Sequence, residues 1–224
     1  MSFTTLDGKA LFLHIPRTGG TWVSKLFVDL GIPIHQVKHP DYTVPQNHFL
    51  FPHFPPGILD RVSFIWCNVR HPIAYYESVW KWIAKVSEGM RRRWRWHPHM
   101  SATRLWCDDF NVWVGRMLKS EPLWYTRLIE QYVGPQGGEF VHWVCRTTTL
   151  REDMKDILKI LRVDLTSSVL AAIDNSKKEN VASAKISWDL CLKEEVLRTE
   201  HQVLDRFYGD RFLLKRVRRF CIPT

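Results

Sequence analysis

Cysteine is scarce in this chain of 224 residues. The five present, Cys67, Cys107, Cys145, Cys191 and Cys221, are odd in number, widely spaced and without a C-x-x-C pair. Such a pattern supports neither a disulfide framework nor a zinc site, and it fits a reducing compartment, so a cytoplasmic location without structural metal is expected. Long apolar runs are missing as well. The N-terminal one covers residues 10 to 15, far short of a secretory h-region or of the roughly 20 residues of a membrane span. Acidic residues are outnumbered, 23 Asp and Glu against 32 Lys and Arg, for a formal charge of +9. An excess of this size favours anionic partners: nucleotides, sulfated or phosphorylated ligands, nucleic acid or a membrane surface. The motif G-x-x-x-x-G-K-[ST] does not occur, which disfavours an ordinary ATPase or kinase.

What is present is enough for one good core. Hydrophobic residues make up 45% of the chain, and the length favours a single domain over residues 1 to 224 with an insert at about 85–135. "ALFLHI" (10 to 15) and "VSFIWCNV" (62 to 69) are continuous apolar runs of the kind expected for buried parallel strands, and "EFVHWVC" (139 to 145) is a third. Helices are expected after each: "TWVSKLFVDLG" with Trp22, Leu26 and Leu30 in one stripe, "PIAYYESVWKWIAKVSEG" opened by Pro72 with Ile73, Tyr76, Val79 and Ile83 in another, and "LREDMKDILKILRV". Residues 32 to 61 are rich in Pro and His and predict loops with one short strand near "HFLF". Two helices interrupted near Pro122 are expected in the insert, then a polar loop, "DNSKKENVASAKIS", and a closing helix with Leu197, His201, Leu204 and Phe207 on one face. Alternating strands and helices predict an α/β fold with a central, mainly parallel sheet flanked by helices, whose ligands bind beyond the carboxyl ends of the strands.

Both of the first two strands end in a basic turn. In "PRTGGTW" the glycines allow backbone N–H groups to converge and the following helix turns its positive end toward an anion, while Arg17 adds a forked charge and Thr18 and Thr21 add hydroxyls. In "NVRHPIAYYESVW" Arg70 stands at the strand end and Ser78 eight positions on (78 − 70 = 8), so a phosphate beside this turn could accept paired bonds from Arg70 and one from Ser78.

Together these residues resemble the sulfotransferases that use 3′-phosphoadenosine 5′-phosphosulfate (PAPS). "HIPRTGGTW" is similar to the family's 5′-phosphosulfate loop and "VRHPIAYYESVW" to its 3′-phosphate motif, in the family's order; "RTTTLREDMKDILKIL" and "NVASAKISWDLCLKEEV" are similar more loosely. The motif style is closest to the carbohydrate sulfotransferases. One departure stands out: the family most often has Lys where this chain has Arg17, which keeps the charge on a bulkier group.

The resemblance implies a P-loop-type three-layer fold and transfer of a sulfuryl group from PAPS to a hydroxyl or amine, leaving adenosine 3′,5′-bisphosphate. It implies in-line transfer without a metal. Arg17, Thr18, Gly19, Gly20 and Thr21 would hold the 5′-phosphosulfate, Arg70 and Ser78 the 3′-phosphate, and Trp22, Arg146 and Lys185 would neighbour the nucleotide. His53 is the favoured general base, with His48 and Glu77 as alternatives; His14, inside the strand, is expected to be structural. The acceptor, a glycan or a small hydroxyl compound, would meet "MRRRWRWHPHM" and Trp94, Trp96, Trp106, Trp113 and Trp124 of the insert, whose faces could equally fill the core. Two rivals stay open: a P-loop kinase-like phosphotransferase, and a single-stranded nucleic-acid binder built on "RRRWRW".

Overall fold

The computed structural model describes residues 1–37, 54, 57–86, 99–135, 138–177 and 186–209. The short strand expected near "HFLF" lies outside them.

The architecture is α/β, a five-stranded mixed sheet with helices on both faces. Its strands are β1 (Phe3–Thr5), β2 (Ala10–Leu13), β3 (His35–Gln36), β4 (Phe64–Val69) and β5 (Trp143–Arg146), in the spatial order β3-β1-β2-β4-β5. The three expected strands are the parallel ones: Leu11 is level with Ile65 and Leu13 with Cys67, and Cys67 in turn is level with Val144. What makes the sheet mixed is β1 and β3, each antiparallel to its neighbour, with Phe3 opposite both Phe12 and Gln36. Strands of three and two residues are too short to show a periodicity, so the sequence leads to a more parallel sheet than the chain builds.

Every residue of β2 and β4 is buried, as continuous apolar strands covered on both faces must be. Alternation then divides the core. Leu11, Leu13, Ile65, Cys67 and Val69 face the helices α2 (Pro72–Ala84), α3 (Met100–Arg104), α4 (Phe110–Ser120) and α5 (Trp124–Val133), joined by the late helices α8 (Leu190–Thr199) and α9 (His201–Phe207). Phe12, Phe64 and Trp66 face α1 (Gly20–Asp29), α6 (Leu150–Ile160) and α7 (Ser167–Asn175).

The expected stripe of α2 holds, with Tyr76, Val79 and Ile83 buried. The break near Pro122 also holds: α4 ends at Ser120, and Leu123 takes φ 59° before α5 begins. The single closing helix does not hold. It divides at Glu200, and its buried face is Val196, Glu200, Val203 and Phe207, not the face carrying His201, which is exposed. The short α3 and α7 were not expected; Thr166 starts α7 by accepting a hydrogen bond from Val169 N–H. Among the described residues no helix is long and apolar enough to cross a membrane.

Candidate functional site

The two basic turns lie side by side beyond the carboxyl ends of β2 and β4. In the first, Thr18 is fully buried and its hydroxyl donates to the Ile15 carbonyl at 2.8 Å, so it tightens the turn instead of pointing outward. Gly19 starts α1 at φ 90°, and no side chain caps the helix, leaving its first backbone N–H groups open to an anion. Gly20 is favoured for a steric reason: a Cβ there would stand 2.3–2.8 Å from atoms of the His14 ring, which would have to shift. His14 is 7% exposed, stacks on Phe12 and donates its backbone N–H to Ser2 Oγ at 3.0 Å. It supports the turn from below, as the sequence suggests.

Thr21 is exposed on the first turn of α1. Trp22 belongs to the core: it is 8% exposed, packs with Val23, Leu26 and Phe27, and donates Nε1–H to Ser176 Oγ at 3.0 Å.

Arg17 joins the first turn to the second. Its backbone is left-handed, φ 65°, an uncommon conformation for a residue with a Cβ. Its Nε donates to Ser78 Oγ at 3.2 Å, and its carbonyl accepts from Arg70 Nη1 at 2.9 Å. Arg17, Arg70 and Ser78 thus form one cluster assembled from residues 61 and 53 positions apart. The Arg17 guanidinium also stands 6.0 Å from the Trp82 ring centroid. Among the described residues neither guanidinium has a carboxylate within ion-pair distance.

Burial weakens the hold of both guanidiniums on their protons, and for Arg17 the neighbouring charge of Arg70 adds to the effect. Two desolvated like charges held together, with no ion-paired carboxylate among the described residues and Glu77 acting on Arg70 only as a lesser, more distant charge, are an unfavourable arrangement that a bound polyanion would relieve.

Arg70 is held by its backbone. The Tyr125 hydroxyl accepts from Arg70 N–H at 2.9 Å and donates to the Arg70 carbonyl at 2.7 Å. Tyr125 lies in the first turn of α5, and that turn is capped by Glu200, which is fully buried. The Glu200 carboxylate accepts from Tyr125 N–H (3.1 Å), Thr126 N–H (2.8 Å), Thr126 Oγ1 (2.7 Å) and the Tyr76 hydroxyl (2.9 Å). No motif marks Tyr125. Glu200 does carry a signal in the sequence: an acidic residue in the middle of the apolar stripe Val196, Val203, Phe207.

Asn68, two positions before Arg70, was also missed. It is fully buried, neither side-chain atom has a partner among the described residues, and its Nδ2 lies 3.9 Å from where a Cβ on Gly19 would stand.

Glu77 accepts from Trp188 Nε1–H at 2.8 Å. Arg146 donates its backbone N–H to Asp153 at 2.7 Å, at the end of β5. Of the insert tryptophans, Trp113 and Trp124 fill the core at 0% and 5% exposure, the Trp113 indole donating to the Ala102 carbonyl at 3.0 Å, so neither offers a face to an acceptor. Trp106 is half-buried. His53, His48, Lys185, Trp94, Trp96 and the arginine run lie outside the described residues.

No protein-family model, no curated protein and no solved structure matches the chain.

Proposed function

We propose that this chain is a PAPS-dependent sulfotransferase of P-loop type, passing a sulfuryl group to a hydroxyl or amine of an acceptor such as a carbohydrate. The observation that carries the reading is the cluster of Arg17, Arg70 and Ser78: two desolvated guanidiniums, neither ion-paired to a carboxylate among the described residues, and a serine hydroxyl beside an uncapped helix N-terminus. A donor with anionic groups at both its 5′ and 3′ positions matches that pair of cradles in charge.

The residues present fit such a donor. The amides that open α1 have no side-chain cap, and the cluster uses only one nitrogen of each guanidinium within itself. PAPS, when bound, supplies the activated sulfuryl group. Arg17 and the backbone N–H groups of Gly19, Gly20 and Thr21 would hold the 5′ end and stabilise negative charge as it develops on the leaving phosphate. Arg70 and Ser78 would hold the 3′-phosphate and so distinguish this donor from nucleotides lacking that group. The acceptor's proton would pass to a base, His53 or, from α2, Glu77.

Titration calorimetry with adenosine 3′,5′-bisphosphate and adenosine 5′-monophosphate tests the reading. One charge-assisted contact is worth about 1.5–3 kcal/mol, so the bisphosphate is expected to bind roughly 10- to 100-fold more tightly, and Arg70→Ala to remove the difference. Equal affinity for the two ligands in the unaltered protein, or an undiminished difference in Arg70→Ala, would overturn it.

A further inference from the structure

We infer that Tyr125 is a positioning residue that sets selectivity for a 3′-phosphorylated nucleotide by holding the backbone of Arg70, with Glu200 holding Tyr125 in turn. The inference rests on the donor reading above and adds to it a device from the C-terminal half of the chain.

Arg70 follows the last residue of β4, where the sheet's own hydrogen bonds give out: Val69 pairs with Arg146 in the final register. A peptide leaving a strand can turn in several directions, and the direction decides where a long side chain reaches. One phenol removes that freedom by engaging both the N–H and the carbonyl of Arg70, at 2.9 and 2.7 Å. With its backbone so held, Arg70 directs Nη1 onto the Arg17 carbonyl at 2.9 Å, which places the two cradles against each other.

The phenol is itself immobilised. Tyr125 is fully buried, and its ring stacks on Tyr75 with centroids 3.8 Å apart. Its backbone N–H donates to Glu200, whose carboxylate takes the place of the side-chain cap that Leu123 cannot provide. Glu200 also binds Tyr76, which neighbours Tyr75 on α2, two positions before Ser78. A single buried carboxylate therefore ties the helix carrying Ser78 to the helix whose tyrosine orients Arg70. Arrangements of this kind, a supporting shell that locks the rotamers and backbone of the binding groups, decide whether a site is tight or loose.

The test measures affinities for adenosine 3′,5′-bisphosphate and adenosine 5′-monophosphate by calorimetry on the full chain, with unfolding midpoints measured alongside. Tyr125→Phe keeps the ring and its stacking and deletes only the hydroxyl; it is expected to lose about tenfold in the ratio of the two affinities while the monophosphate affinity stays nearly constant. Val133→Ala, at the other end of the same helix and fully buried, serves as the structural control: it should lower the midpoint and leave the ratio alone. A folded Tyr125→Phe with an unchanged ratio overturns the inference, as does a Val133→Ala that lowers the ratio equally. Should Tyr125→Phe not fold, Glu200→Gln carries the test: a reduced ratio supports the inference and an unchanged one overturns it. If the unaltered protein binds both ligands equally, the donor reading fails together with the inference; if it discriminates and Tyr125→Phe still does, the inference alone fails.

Discussion

Arg17 holds a left-handed backbone, φ 65°, at a cost of about 1–2 kcal/mol for a residue with a Cβ. Strain of this sort persists where the side chain is needed for function. Arg17→Gly should relieve it while adding freedom to the unfolded chain, an opposing term of about 0.5–1 kcal/mol. The expected outcome is an unfolding free energy within about 1 kcal/mol of the original by urea titration, with affinity for adenosine 3′,5′-bisphosphate at least about tenfold weaker. Gly20 presents the opposite case. A methyl there meets the His14 ring at 2.3–2.8 Å, and overpacking of this kind costs about 1–3 kcal/mol. Thermal unfolding of Gly20→Ala should show that loss, and adding His14→Ala should recover part of it, since residues in direct contact couple. Both glycines of the turn are legible in the sequence; the His14 ring that crowds Gly20 is not, because it reaches Gly20 only through a fold of the chain back on itself.

At the level of elements, helix ends separate local from tertiary design. Asp109 caps α4 in the ordinary way, its Oδ1 accepting from Val112 N–H at 3.0 Å on an exposed surface. Asp109→Ala should cost about 1 kcal/mol. The start of α5 has no such neighbour and relies on Glu200, from 75 positions away for the Tyr125 amide. Removing that carboxylate strands two backbone N–H groups and two hydroxyls in a dry interior, so Glu200→Ala should cost about 3 kcal/mol or more in the same urea titration. The first kind of cap can be found by scanning a few residues either side of a helix. The second needs the packing of α8 and α9 against α2 and α5, and for that reason the closing helix was expected to be continuous with His201 inward, when it bends at Glu200 and turns His201 out.

For the molecule as a whole, the groups through which pH bears on stability include two histidines. His71 is held below its ordinary pKa of 6.5 by burial and then by the charge of Lys193, and His142 by burial. His142 has a structural reason to stay neutral, because its Nδ1 accepts from Ile65 N–H at 2.9 Å. Folding therefore favours the unprotonated rings. The stability they contribute is present above pH 6.5 and is lost as the pH falls from there through their lower folded values, since the unfolded chain binds more protons in that window. Chemical denaturation between pH 7.5 and 5 should show a falling unfolding free energy. A variant combining His71→Gln with His142→Gln should make that slope shallower, because glutamine can accept the Ile65 hydrogen bond without titrating.

The residues themselves decide the local parts of this protein. Apolar runs such as Ala10–Leu13 and Phe64–Val69 predict strands buried on both faces, and Pro72, the paired glycines and the interval from Arg70 to Ser78 place a basic turn and a helix after each, since these preferences act over a few neighbouring residues. The sheet's antiparallel edge, the contact of Arg70 with Arg17, the clip from Tyr125 and the buried carboxylate of Glu200 come only with the tertiary structure. Each joins groups far apart in the chain, by contacts that have no energy until the core has excluded water and brought the elements together.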